Sequence, residues 1–249
     1  MSTPRIVAAL AVLLCLAARA QAAPLLQLAG DINSGTLFCA TDNNVGCVYG
    51  TQVLDLNPTV GILDLGTVTL GGLTVEGSLH AETFGPPLNI LSSSSLTITN
   101  NTAAAVTLAS SIGANNFVGP TSFVANTGSG TWVNAAGSAA DYSFYVDAAN
   151  GQGGESALDR PGLLLSSFSD TAVGLVDSFS VNGGPFPMVL NSPFSMTLGF
   201  DMTLLPGGQL ISRGQSQVAD VVAVPEPLSL SLLGLGLAGP GWRHRRRSK

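Results

Sequence analysis

The stretch LTVEGSLHAETF gathers the residue types that hydrolytic chemistry uses: a hydroxyl at Ser78, an imidazole at His80 and carboxylates at Glu76 and Glu82. A nucleophilic serine needs a base beside it, and that base needs a third group to orient it. His80 is the only histidine between residues 23 and 220, so Ser–His or His–metal chemistry in this region has to run through it. Read as a strand, the four residues share one face, with neighbours ~6.5–7 Å apart along the chain. A nucleophile and its base must come within about 2.6–3.2 Å, which adjacent positions reach only through favourable rotamers. Glu76 and Glu82, about 20 Å apart on a strand, fall outside the ~5–9.5 Å that separates glycosidase carboxylates. The stretch is therefore expected to be a solvated polar strand face, and no catalytic residue is assigned.

Other residues invite other chemistry. Asp147, Asn150, Glu155 and Asp159 lie in DAANGQGGESALD, where oxygen ligands could collect around calcium. An EF-hand requires ligands at alternate positions, and Ala149 and Gly151 stand where two of them belong. No metal or cofactor is assigned, and calcium at a site of another type stays open. GQGG has neither the lysine of a phosphate-binding loop nor dinucleotide-loop spacing. Asn100–Thr102 fits a glycosylation acceptor. Trp132, Tyr142, Phe144 and Tyr145 are either a carbohydrate platform or core, and aromatic residues in strands are usually core.

Cys39 and Cys47 bracket the turn-forming Asp42, Asn43 and Asn44, and are expected to form a structural disulfide closing a small loop. Between residues 23 and 220 two arginines, Arg160 and Arg213, stand against fourteen acidic residues, a net charge of −12, with no lysine. So acidic a surface repels phosphates, which excludes nucleic acid as a partner.

The elements that must carry these residues are strands. FSMTLGFDMTL alternates Phe194, Met196, Leu198, Phe200, Met202 and Leu204 with small or polar residues. LPGGQ then supplies a turn, and QLISRGQSQVAD is expected to return as its antiparallel partner. Further strands are expected at Val45–Leu56, Ile62–Leu70, Leu73–His80, Ser95–Asn100, Ala104–Ser110, Phe117–Ala125, Asp141–Asp147, Leu163–Phe168 and Leu175–Val181. DAANGQGGESALD reads as a long exposed loop. The pattern predicts an all-β chain, a single β-sandwich or jelly-roll-like body over 23–220, with a barrel as second choice.

Both ends differ from this body. Arg5, the apolar run Ile6–Ala18 and the A-x-A pattern Ala20-Gln21-Ala22 form a secretory signal peptide, residues 1–22. At the other end Pro225-Glu226-Pro227 precedes fifteen residues without an ionisable side chain, 228–242, closed by Trp242. A basic tail, 243–249, follows with Arg243, Arg245, Arg246 and Arg247. As a helix the apolar run spans ~22 Å, short against a hydrocarbon core of ~30 Å. The arginines would hold the cytoplasmic side.

VPEPLSLSLLGLGLAGPGWRHRRR resembles the PEP-CTERM sorting signal of Gram-negative bacteria, with its Pro-Glu-Pro motif, apolar helix and terminal arginine cluster in that order. It departs from the pattern at Leu228, where a small residue often stands, and at Pro240 within the apolar run. The resemblance implies that the apolar helix 228–242 within segment 221–249 inserts transiently in the membrane and that exosortase recognises and removes the tail. It also implies association with exopolysaccharide and biofilm. The expectation is an exported, non-enzymatic surface or extracellular-matrix protein with a structural or adhesive role and polysaccharide as a candidate partner. The alternative is a secreted carbohydrate-binding module or carbohydrate-active enzyme working through sandwich loops.

Overall fold

The computed structural model describes residues 23–84 and 88–220. The signal peptide and the sorting segment, with Pro225, Glu226, Pro227, Trp242 and the terminal arginines, lie outside the described residues. Within them the chain forms β1 (Leu26–Ile32), β2 (Thr36–Thr41), β3 (Thr51–Gln52), β4 (Ile62–Leu70), β5 (Leu73–Phe84), β6 (Leu88–Asn100) and β7 (Val106–Phe117). It continues through β8 (Phe123–Val133), β9 (Ala139–Asp147), β10 (Leu163–Thr171), β11 (Val176–Pro187), β12 (Phe194–Leu204) and β13 (Gln209–Ala219). One sheet runs β10-β9-β12-β7-β1-β2-β3 and the other β11-β8-β13-β6-β5-β4.

This order is a jelly roll, two four-stranded sheets wound from one set of eight strands. From β6 to β13, β6-β13-β8-β11 lies on one side and β7-β12-β9-β10 on the other. β1–β3 widen one sheet beyond β7, and β4 and β5 widen the other beyond β6. Alternation puts one face of each strand into the space between the sheets. Phe194, Met196, Leu198, Phe200, Met202 and Leu204 are all 0–4 % exposed, as the β12 pattern predicts. Trp132, Tyr142 and Phe144 are core too: Tyr142 stacks on Phe168 with centroids 4.5 Å apart, and Trp132 Nε1 donates to Asp170 Oδ2 at 2.6 Å. They form no exposed platform. The Cys39–Cys47 disulfide is formed, across a Cα–Cα distance of 6.1 Å.

Several expectations are corrected. β12 and β13 do not pair as a hairpin. β12 hydrogen-bonds β7 and β9, β13 hydrogen-bonds β6 and β8, and the chain crosses between the sheets after Leu204. Periodicity fixes which face of a strand is buried, not which strand lies beside it. Only Thr51–Gln52 of the segment Val45–Leu56 pairs, because the side chains of Asn44 and Asp55 bond main-chain groups that a ladder would use. Phe117–Ala125 is the end of one strand and the start of the next, divided around Pro120, which has no N–H for a ladder. β1 and β2 were not expected as strands; their inward Leu26, Leu28, Ile32 and Phe38 are interrupted by Gly30, against which the Phe38 ring packs. Asn100 is 1 % exposed and its Nδ2 donates to the carbonyls of Ala104 and Leu204, both at 2.8 Å, so the folded acceptor site is closed.

Candidate functional site

The two outer faces of the sandwich are finished differently. Over the seven-stranded sheet lies the segment 148–162, which is a strap and not the exposed loop that its composition predicts. Small residues on the outer faces of β7 and β12 let its main chain lie flat: a Cβ on Gly113 would stand 2.1 Å from the carbonyl oxygen of Gly153. Ser111 Oγ donates to the Ala157 carbonyl at 3.1 Å, and Gln152 Nε2 to that of Gly113 at 3.3 Å. Arg160 closes the strap, with NH1 and NH2 donating to the two Asp201 oxygens at 2.8 and 2.6 Å and NH2 also to the Ser110 carbonyl at 3.0 Å. Burial disfavours the guanidinium charge, but the hydrogen bond and charge of Asp201 outweigh it and raise the Arg160 pKa.

Two of the acidic residues that suggested calcium, Asp147 and Asp159, are engaged in the strap's own turns. Asp147 accepts the N–H groups of Ala149 at 2.9 Å and Gly151 at 2.8 Å, and Asp159 accepts that of Glu155 at 3.1 Å. Among the described residues no group of three or more His, Cys, Asp or Glu side chains is placed to hold a metal ion.

The outer face of the six-stranded sheet is open. Its cross-strand pairing lines up Ser178, Thr131, Ile211, Thr97, Glu76 and Thr67 in one row. Asn182, Thr127 and Gln215 start another. Hydroxyls and amides dominate these rows, and Arg213, exposed, is the one arginine on this face. A shallow groove of about 380 Å³ runs among Ser94, Ser95, Ser129, Thr131, Ser178 and Arg213.

Ser78 and His80 lie on this same face and are brought together. Ser78 Oγ is 3.3 Å from His80 Nε2 and 2.6 Å from Ser94 Oγ, where a register shift between β5 and β6 admits Ser94 as an extra residue. Spacing alone could not show this approach; the signal for it is Gly77, whose φ of +144° lets β5 bend beside the irregularity. Glu82 Oε1 stays 3.9 Å from His80 Nδ1, and the two side chains are 29 % and 40 % exposed. Glu76 projects from the row of threonines. The result is an open polar ladder, without the tight base–carboxylate bond that would orient His80.

Fold and site together define an all-β jelly-roll protein with one strapped face and one open, hydroxyl-lined face. No family model and no curated protein matches the chain. Among solved structures it is similar to a CBM61 in complex with β-1,4-galactotriose, 9 % identical over 48 % of this chain and 69 % of that one, with a TM-score of 0.29. The C-terminal family 22 carbohydrate binding module of Clostridium thermocellum Xyn10B is 15 % identical, covering 62 % and 89 %, with a TM-score of 0.30. A CBM35 from Paenibacillus barcinonensis is 17 % identical, covering 57 % and 91 %, with a TM-score of 0.24. At this identity and superposition no ligand and no residue role is carried over from them.

Proposed function

We propose that the chain is an exported surface or extracellular-matrix protein whose jelly-roll body holds neutral polysaccharide without turning it over. The observation that carries the reading is the open face: in-register rows of Ser, Thr, Asn and Gln side chains on a six-stranded sheet, beside a groove lined by Ser129, Thr131 and Arg213. Hydroxyls and primary amides exchange hydrogen bonds with sugar hydroxyls in both directions. Six strands at ~4.8 Å spacing give a polymer length along which to spread many weak bonds. The −12 body disfavours anionic polymers. The open Ser78–His80–Glu82 ladder fits a binding face better than a hydrolase, whose nucleophile needs an oriented base.

Export is supported by the N-terminal pattern and by a disulfide, which persists in oxidising compartments. In this reading exosortase removes the C-terminal tail after transient membrane insertion of 228–242, as the resemblance of segment 221–249 implies.

Affinity electrophoresis of the exported protein in neutral glucans and galactans tests the binding. The expected result is retardation without released sugar. Ser129→Glu with Thr131→Glu, which puts charge into the groove, is expected to weaken binding about tenfold, ~1.4 kcal/mol, at an unchanged unfolding midpoint. Sugar release that disappears in His80→Ala would replace binding with hydrolysis.

A further inference from the structure

Each sheet of the sandwich ends in two edge strands, β10 and β3 in one and β11 and β4 in the other. An uncovered edge presents main-chain N–H and C=O groups that a further strand can take up. Three of these edges are short, broken or occupied. β3 has two residues. β10 loses its register between Leu164 and Ser166. On β4 the Asp64 N–H donates to Asp55 Oδ1 and the Asp64 carbonyl accepts the Leu56 N–H, both at 2.9 Å. β11 is different: its register with β8 is unbroken from Val176 to Gly183, and among the described residues no strand lies on its other side. Just before this run the Leu175 carbonyl accepts the Asn134 N–H. Bonds to one antiparallel neighbour recur at every second residue. Asp177, Phe179 and Val181 therefore bond β8, while Ser178, Ser180 and Asn182 turn their main-chain groups outward. The Ser178 N–H accordingly reaches a side chain, Asp177 Oδ1, at 2.8 Å.

We infer that β11 pairs antiparallel with β11 of a second copy of this chain, about a two-fold axis at Ser180. Ser180 then faces Ser180 of the second copy, Ser178 faces Asn182 and, on the inner side, the half-buried Phe179 faces Val181. Charge selects this partner. In a body of net charge −12, neither residues 178–187 nor β8 behind them carry an ionisable side chain, so a like-charged copy can approach here. The same stretch has nothing to hold the cations of a basic strand. With the axis at Ser180, Asp177 lies against Gly183, and the two Asp177 residues stand about 20 Å apart, beyond the ~10 Å screening length. An axis at Phe179 would set Asp177 against the apolar Val181 instead. One open edge used on a two-fold axis closes at two copies and leaves none to propagate. The pairing stands independently of the polysaccharide reading, and it joins the open faces of the two six-stranded sheets into one. The copies point opposite ways along their strands, which suits a protein released from the membrane.

Sedimentation of the exported protein is expected to show a dimer that dissociates on dilution. Single cysteines read the register, because Cys39 and Cys47 are tied to each other. Opposed Cα atoms in a hydrogen-bonded pair are about 5.5 Å apart, within disulfide range. Under mild oxidation Ser180→Cys is expected to link two copies. Ser178→Cys and Asn182→Cys, each about 14 Å from its own equivalent, should link only when the two variants are mixed. Ser180→Pro removes the outward N–H and spares the β8 ladder. It costs two hydrogen bonds across the axis and should raise the dimer dissociation constant about tenfold, with an unchanged circular dichroism spectrum. Ser180→Glu sets like charges face to face, and serves if the proline variant does not fold. A monomer at every concentration overturns the inference; Ser180 and Asn182 amide shifts when neutral glucan is added to that monomer would assign the edge to polysaccharide. A dimer that survives both Ser180 variants, or that links through Ser178→Cys alone, overturns it equally.

Discussion

Asp42 is 2 % exposed within the disulfide loop, its Oδ2 accepting the Gly61 N–H at 2.7 Å and its Oδ1 the Asn43 side-chain amide at 2.8 Å. Burial raises its pKa above 3.8; the Gly61 bond opposes this, the nearby Asp55 charge adds to it, and the net direction is up. A carboxyl whose folded pKa is raised holds its proton more tightly in the folded state than in the unfolded chain. Its contribution to stability is therefore greatest below the unfolded value and falls as pH rises through the folded one. Asp42→Asn keeps an acceptor for Gly61 and removes the ionisation. In urea titrations from pH 4 to 7 the variant is expected to gain on the wild type as pH rises toward the folded pKa of Asp42 and to keep that gain above it. A difference that stays flat, or shrinks, would show that the site does not carry this pH dependence.

The strap over the seven-stranded sheet holds by close approach as much as by the Arg160–Asp201 pair. Gly113→Ala would drive a Cβ into the Gly153 backbone, which no rotamer change relieves. Overpacking of this kind typically costs about 1–3 kcal/mol. The expected outcome is a lowered urea midpoint and new protease cleavage within 148–162; unchanged proteolysis would mean that the strap does not depend on this contact. Much of this level was legible in the residues. The strict alternation of β12 gave its bounds and buried face, and the Cys39–Cys47 pair gave the disulfide. What did not show was how strands are distributed between sheets. A four-residue connection after Leu204 serves a crossover as well as a hairpin, and only the summed pairing of β6 to β13 decides between them. The strap was hidden for a related reason. Gly151, Gly153 and Gly154 look like a flexible exposed loop until Gly113 and Gly199, distant in sequence, supply a surface flat enough to lie on. Ser78 and His80 could be put on one face, but their contact depends on the extra Ser94 of a neighbouring strand.

At the scale of the whole molecule, the jelly roll brings both ends of the body to one end of the sandwich. Leu26 pairs with Ala114 near the end of β7, and Ala219 pairs with Phe123 at the start of β8. The β7–β8 connection thus marks the pole at which the described chain begins and ends, and the turn after Asn100 lies at the opposite pole. If the sorting segment sits in the membrane before removal, as proposed, the body must stand on the first pole with the second projecting outward. Val189 is 73 % exposed at the near pole, where Met188 donates to the Ser122 carbonyl, and Ala103 is exposed at the far one. Single cysteines at these positions report the orientation, because Cys39 and Cys47 are tied to each other. In cells lacking exosortase, Ala103→Cys is expected to react fully with a bulky, membrane-impermeant maleimide while Val189→Cys is shielded. In the processed form, whose intact mass lacks Trp242 and the terminal arginines, the two should react alike. Equal labelling before processing would refute the end-on attachment, and a mature mass that retains Trp242 would refute removal of the tail.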